Sequence, residues 1–198
     1  MITDIRFLTV KILDEFAKNN SQLNLIRNKI FSLHSPPILT KNRVNVLIKE
    51  IIRLRGKLDL MIEFISGKPI NQIKLSLLSI LRIGFYEIIF DNKTPDYAAV
   101  DSSVELTHRI YNKRAAGFTN AVLRNLIRTR DSNKNWEQSL NNKPYWNSIP
   151  IWLQKKWKHQ YGVKQFNELV NEINKPPQIF IRIDVPYDEI KSIIDSLN

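Results

Sequence analysis

The 198 residues predict an all-α helical bundle followed by a linker and the start of an α/β subdomain. Apolar residues recur at helical spacing from Ile5 to Arg130. The stripes are separated only by short breaker runs such as Ser35-Pro36-Pro37 and Ser66-Gly67-Lys68-Pro69. After Arg130 the texture changes, and the first alternating pattern appears only at Gln178 to Asp184. Short-loop, all-helical patterning means helices packed on helices, whereas alternation means a strand.

Taken in order, Ile5, Leu8, Ile12 and Phe16 make the first helix, with Lys11 and Lys18 off its stripe. Ser21 is placed to cap a second helix carrying Leu23, Ile26, Ile30 and Leu33. Thr40 is placed to cap the third, with Val44, Leu47, Ile48 and Ile51 inward, and Gly56 marks a kink or join. Leu58, Met61, Ile62 and Ile65 continue to the Ser66–Pro69 turn. Ile73 to Phe90 is apolar around most of its circumference and belongs in the middle of a bundle. Gly84 within it costs about 1 kcal/mol relative to Ala, which a closely passing neighbour would explain. Thr94-Pro95-Asp96 opens a helix from Tyr97 to Ile110, and Ala115 to Thr129 forms the next. Residues 1–130 therefore read as one helical domain and the polar run 131–147 as a linker. Residues 148–198 read as an incomplete second unit: Ser148-Ile149-Pro150 starts a helix ending near Gly162, and Phe166, Leu169, Val170 and Ile173 mark another before Pro176-Pro177. A strand follows with Ile179, Ile181 and Ile183 on one face, and then a helix from Ile190. A lone strand makes no stable sheet, so either a partner chain supplies its neighbour or the sequence stops within a second domain, which is the expectation.

Hydrophobic content of 43% is enough for a core, and the net charge of +11 favours a polyanionic partner unless coding bias alone inflates Lys, Asn and Ile. The chain has no cysteine, which removes disulfides, thiolate metal sites and a cysteine nucleophile from these residues. With neither a signal-peptide pattern nor an apolar run long enough for a bilayer, a cytoplasmic protein without a membrane partner is expected. His34, His108 and His159 are isolated, no phosphate-cradling glycine motif is present, and neither a catalytic nor a metal site is expected.

Binding residues are easier to nominate. From Leu106 to Arg130 there is no acid, while Arg109, Lys113, Arg114, Arg124, Arg128 and Arg130 all occur. On one helical hairpin they form a field that attracts phosphates, although a solvated helix face has the same composition. Lys155, Lys156 and Lys158 are interleaved with Trp152 and Trp157. Cations beside aromatics hold a nucleic-acid backbone while bases stack, but tryptophans so spaced also plug domain junctions, the reading favoured here. Asn120 is expected to tie the 112–118 loop or a neighbouring helix end, and Arg82 to pair with Glu105.

Several ordered pieces resemble the NusB-type helical domain, and more closely the form at the N-terminus of RsmB/Sun (Fmu)-type 16S ribosomal RNA cytosine-C5 methyltransferases. They are Lys57-Leu58-Asp59 with Met61-Ile62, Ile80 to Phe90, Pro95 with Ala98-Ala99-Val100 and Val104-Glu105-Leu106, and Gly117-Phe118-Thr119-Asn120-Ala121-Val122-Leu123-Arg124. Beyond them, Pro150, Trp152-Leu153, Trp157, Tyr161-Gly162, Asn174, Pro176-Pro177 and Arg182-Ile183 resemble that family's connector. Asp184 stands where the connector motif closes with Asn, and the first helix offers only Arg6 and Lys11 where NusB proteins carry an arginine cluster.

The resemblance implies a NusB-like RNA-binding domain over 1–130 and the first part of a methyltransferase RNA-binding subdomain over 148–198. Structured ribosomal RNA is the implied partner, contacted by the basic hairpin, the lysine cluster and Arg182, with Gly117 structural. S-adenosylmethionine and the cysteine nucleophile that attacks cytosine C6 are implied for a catalytic domain in cis, so no cofactor is expected in this chain and any enzyme activity lies with the parent protein. The other reading is a stand-alone NusB-like RNA-binding factor in antitermination or ribosome assembly.

Overall fold

The computed structural model describes residues 4–19, 22–91 and 93–175, together with Arg182, Asp184, Lys191, Ser192 and Asp195. Eight α-helices and no strand occur among the described residues: α1 (Ile5–Lys18), α2 (Leu23–His34), α3 (Ile38–Arg53), α4 (Arg55–Ser66), α5 (Leu75–Ile89), α6 (Asp96–Ile110), α7 (Lys113–Ser132) and α8 (Ile151–Ile173). The expected strand at Gln178–Asp184 and the helix from Ile190 lie outside the described residues, apart from single positions within them.

The central helix is α5. Every residue from Leu78 to Ile88 is buried, and α1, α3, α4, α6 and α7 surround it. That is the arrangement expected of a helix apolar all round. Gly84 is there for close packing: a Cβ would lie 2.9 Å from Leu123 Cδ2 on α7 and 3.2 Å from Ser103 Oγ on α6. Most polar groups buried around α5 are matched, although the Ser103 hydroxyl packed against Gly84 has no hydrogen-bond partner among the described residues. Asp14 accepts from Ser79 Oγ at 2.7 Å, Glu87 from Arg6 Nε at 3.0 Å, and the Thr107 and Thr119 hydroxyls meet at 3.0 Å.

Some boundaries differ from the sequence expectation. Thr40 is not a cap, because α3 already starts at Ile38 behind Pro37, whose extended backbone serves as helix entry. Ser21 lies outside the described residues, and Gln22 stands at the start of α2 without a side-chain cap bond. Leu33 is 69% exposed rather than inward. Gly56 sits two residues past the α3–α4 join at Leu54, in the first turn of α4. A Cβ there would run into the Tyr145 carbonyl and lie 3.0 Å from Ser148 Cα, so packing from a distant segment requires the glycine.

That segment is the expected linker. Residues 131–147 do not hang free: a 3-10 turn, Trp136–Leu140, buries Trp136 and Leu140 in the main core. Trp136 stacks on Phe64 at 5.9 Å between ring centroids, and Lys57 Nζ lies 4.1 Å from the centre of the Trp146 ring. Burial pushes the Lys57 amine below its ordinary range, partly opposed by Glu137. Most polar residues of the segment face water, Glu137 and Asn147 being half-buried, while three apolar anchors hold it, a pattern that composition averages away.

Past it, Gly162 breaks α8 with φ 77° and ψ 165°, as the glycine suggested. Ile149, Phe166 and Val170 form a small second core with Leu153 and Trp157 packed against it. Gln154 locks the start of α8, donating to the carbonyls of Pro144 at 2.6 Å and Ile149 at 2.8 Å.

Candidate nucleic-acid interface

Asn112 initiates α7: its side-chain oxygen accepts from the backbone N–H of Ala115 at 3.0 Å. From that cap one exposed strip runs along the helix through Lys113, Gly117, Ala121, Arg124 and Arg128. Steps of three and four residues keep these side chains on one face over about 23 Å. Among the described residues nothing lies within 4 Å of a Cβ built on Gly117, so no packing among them requires the glycine. The middle of the strip is backbone and methyl, flanked by cations.

At the N-terminal end the strip opens into a concavity of about 490 Å³ lined by Lys68, Gln72, Lys74, Tyr111, Arg114 and Phe118, with no acid lining it among the described residues. Lys68 Nζ stands 4.7 Å from the Phe118 ring centre and Lys74 Nζ 5.6 Å from that of Tyr111. The first turn of α7 adds the positive end of the helix dipole. Cations, aromatic faces and a helix N-terminus therefore converge on one groove, an arrangement that holds phosphates while offering rings to bases. Lys68 and Lys74 were missed from sequence because they lie in the turn after α4 and just before α5, far in sequence from the basic hairpin. The only local signal was Lys68 within the Ser66–Pro69 turn.

The other nominated cations are placed differently. Arg130 is tied down: it donates to Asp96 at 2.6 and 3.2 Å, to Asp131 at 2.9 Å and to the Ile88 carbonyl at 3.2 Å. The Asp96 and Asp131 hydrogen bonds raise its pKa further, so it is a permanent clamp joining the C-terminal ends of α5 and α7 to the start of α6. Arg109 pairs with Asp4 at 3.4 Å. Arg124 donates to Asn120 Oδ1 at 2.8 Å, and with Arg128 lines a groove shared with Tyr97, Asp96 and Asp101. Lys155 and Lys156 are exposed on α8, while Lys158 Nζ lies 4.9 Å from the Phe166 ring centre. Arg182 is exposed.

Two structural expectations are corrected. Arg82, 5% exposed, does not pair with Glu105, which faces solvent. Its guanidinium binds Asp59 in a bidentate pair at 2.7 and 2.8 Å, because its side chain crosses to α4 rather than α6. Among the described residues Asn120 ties no loop or helix end; Asn125 does, donating to the Ile65 carbonyl in the last turn of α4 at 3.1 Å. Both asparagines lie on α7, but Asn125 faces the end of a neighbouring helix and Asn120 its own outer strip.

Among the described residues no group of His, Cys, Asp and Glu is placed to hold a metal, and no helix is long and apolar enough to cross a membrane.

Comparison with known proteins agrees with this fold. The NusB family model matches residues 3–128. The probable ribosomal RNA small subunit methyltransferase B of Bacillus subtilis is 23% identical across 98% of this chain and 44% of its own length. Its Synechocystis counterpart is 25% identical across 90% of this chain and 40% of its own length. The chain thus spans less than half the length of these relatives. The transcription antitermination protein NusB of Caldicellulosiruptor saccharolyticus is 27% identical over 58% of this chain and 92% of its own length. In fold, the chain is similar to the solved structure of PH0851, with a TM-score of 0.67 and 13% identity over 89% of this chain and 40% of that one. It is also similar to a chain in the crystal structure of a plectonemic RNA supercoil, with a TM-score of 0.62 and 16% identity over 66% of this chain and 96% of that one.

Proposed function

Because the chain belongs to the NusB family, we propose that it is the RNA-binding and RNA-positioning module of an S-adenosylmethionine-dependent ribosomal RNA cytosine-C5 methyltransferase. The observation that carries this reading is the extent of the similarity. It runs over 98% of the chain in the Bacillus subtilis methyltransferase B, through α8, whereas the antitermination protein matches only 58%. The acid-free groove at the start of α7 is the part of the surface best suited to receive structured ribosomal RNA. Arg114, Lys68 and Lys74 neutralise phosphates there, and Phe118 and Tyr111 offer ring faces. The exposed Lys113 adds a cation in the same turn as Arg114, while Arg124 and Arg128 lie further along in a groove shared with Asp96 and Asp101.

The chemistry belongs to a catalytic domain in cis, outside these residues. S-adenosylmethionine would supply the methyl group, but this chain's donor set does not fit that cofactor. The five glycines are Gly56, Gly67, Gly84, Gly117 and Gly162, scattered over a helix start, a helix end, two helix interiors and a kink. None builds the glycine-rich strand-to-helix loop that receives a nucleotide or nucleoside. Covalent catalysis at cytosine C6 also requires a nucleophile this cysteine-free chain lacks, so its own share is to bind and orient RNA.

The test uses the full-length parent protein with small-subunit ribosomal RNA and labelled S-adenosylmethionine. Incorporation of label at cytosine C5, with Lys113→Glu/Arg114→Glu raising KM for RNA while kcat holds, supports the proposal. RNA binding without methyl transfer by the full-length protein would replace it with the stand-alone binding factor.

A further inference from the structure

The sequence treated Trp152 and Trp157 together, weighing stacking on bases against junction filling and favouring the second for both; the structure separates them. Trp157 packs with Leu153 on the Ile149–Phe166–Val170 core. Trp152 is 67% exposed on the opposite side of the same helix. Helical spacing of three, four and seven residues from Trp152 puts Lys155, Lys156 and His159 on its face, and all three are exposed. Neighbouring side chains at such spacing stand about 5–6 Å apart between Cβ atoms, roughly the reach from a base to its phosphate. Sequence charge reinforces the grouping: from Gln138 to Asn167 there is no acid, while Lys143, Lys155, Lys156, Lys158 and Lys164 all occur. The platform is also held in place. Gln154 ties the first turn of α8 to two carbonyls, and Asn174 just after its end donates to the Asn147 carbonyl at 3.1 Å.

Resting on the RNA-binding reading above, we propose that the outward face of α8, Trp152 with Lys155 and Lys156, is a stacking platform for an unpaired segment of the RNA. The indole takes a base face while the two ammonium groups hold the flanking phosphates. A planar, exposed ring stacks on any base, but only where that base is out of a helix, so the surface selects single-stranded over paired RNA. A protein partner is disfavoured as occupant because the face surrounds its single aromatic with like charge, whereas the cores of protein interfaces are depleted of lysine. The α7 groove and this face then divide the work: one takes phosphates of structured RNA, the other an unpaired stretch beside it.

The experiment uses the 198-residue chain, a short oligouridylate and a fully paired RNA hairpin with the same number of phosphates. Trp152→Ala is expected to weaken oligouridylate binding about tenfold, the usual effect of losing one stacked base, and to leave hairpin affinity within twofold. Trp152→Phe should keep most of the affinity but abolish most of the oligouridylate-induced quenching of tryptophan fluorescence, because Trp136 is buried and Trp146 and Trp157 are half-buried. Lys155→Glu/Lys156→Glu should weaken both ligands and flatten the salt dependence. Equal loss for both RNAs in Trp152→Ala, or no loss for either, overturns the stacking platform; in the second case the face is left to a protein partner. Lys113→Glu/Arg114→Glu separates the two readings. If it abolishes hairpin binding while Trp152→Ala changes nothing, RNA binding stands and the platform falls; if the unaltered chain binds neither RNA, both fall.

Discussion

At its first turn α7 presents Arg114 to a groove that it shares with Lys68 and Lys74 and whose described lining holds no carboxylate, with Lys113 exposed in the same turn; at its last turn Arg130 is held between Asp96 and Asp131. The two ends share a residue type but differ in what surrounds it. A guanidinium matched by a carboxylate at 2.6 Å adds little to the potential a Debye length away, whereas unmatched cations add fully. The helix dipole sharpens the contrast. Cations at a helix C-terminus are stabilising and cations at an N-terminus are not. Arg130 thus works with the backbone field, and Lys113 and Arg114 work against it unless an anion arrives. Charge placed at the expense of stability is a stronger pointer to a ligand than the net +11 of the chain.

The largest effect should come from inverting the open end. The triple variant Lys68→Glu/Lys113→Glu/Arg114→Glu is expected to lose affinity for structured RNA on the order of a hundredfold at low salt. The slope of log K against log salt should also become shallower by roughly two, since each phosphate contact contributes about 0.7–0.9 to it. Unchanged RNA affinity would erase the distinction between the two ends.

At the closed end the readout moves from binding to stability. Arg130→Met leaves the Asp96 carboxylate and the Ile88 carbonyl without this partner. With the arginine side chain about a third exposed, solvent screens part of the loss, and about 1–2 kcal/mol is expected in chemical denaturation. RNA affinity should stay within twofold. An affinity loss as large as that of the triple variant would mean the clamp opens to RNA.

The bundle was legible because its information is periodic. Leu78 to Ile88 announces a central helix by being apolar all round, and Gly84 announces a close neighbour by its cost. Sequence failed where the deciding partner is remote. Arg82 finds Asp59 and not Glu105, because helical phase does not specify which neighbouring helix a long side chain crosses to. Trp136, Leu140 and Trp146 anchor a stretch whose polar average reads as spacer. The interface was half legible for the same reason: Lys113 and Arg114 lie in the acid-free run, but Lys68 and Lys74 join Arg114 only through the fold.

A finer version of the comparison lies within α7 itself. Asn125→Ala should cost about 1 kcal/mol, because the Ile65 carbonyl loses its side-chain donor in a half-buried setting. Asn120→Ala removes only a bond to Arg124 on the exposed strip and should cost less than about 0.5 kcal/mol. Equal costs would show that the outer strip contributes to holding the fold as well as facing a ligand.

The smallest effect is the most diagnostic, because its sign is unusual. Lys113→Gln/Arg114→Gln removes two cations from the positive end of α7, one of them, Arg114, in the groove with Lys68 and Lys74, without touching the Asn112 cap. Repulsion from the dipole and from like charges should fall, so the free protein is expected to gain a few tenths of a kcal/mol. RNA affinity should drop in the same variant. Raising salt screens the repulsion, so the gain should shrink towards zero near 1 M, where the Debye length is about 3 Å. A variant both more stable and weaker in binding marks residues kept for a ligand at the fold's expense. If the double substitution destabilises the free chain, these side chains hold α7 in place, and the open end of the helix is structural after all.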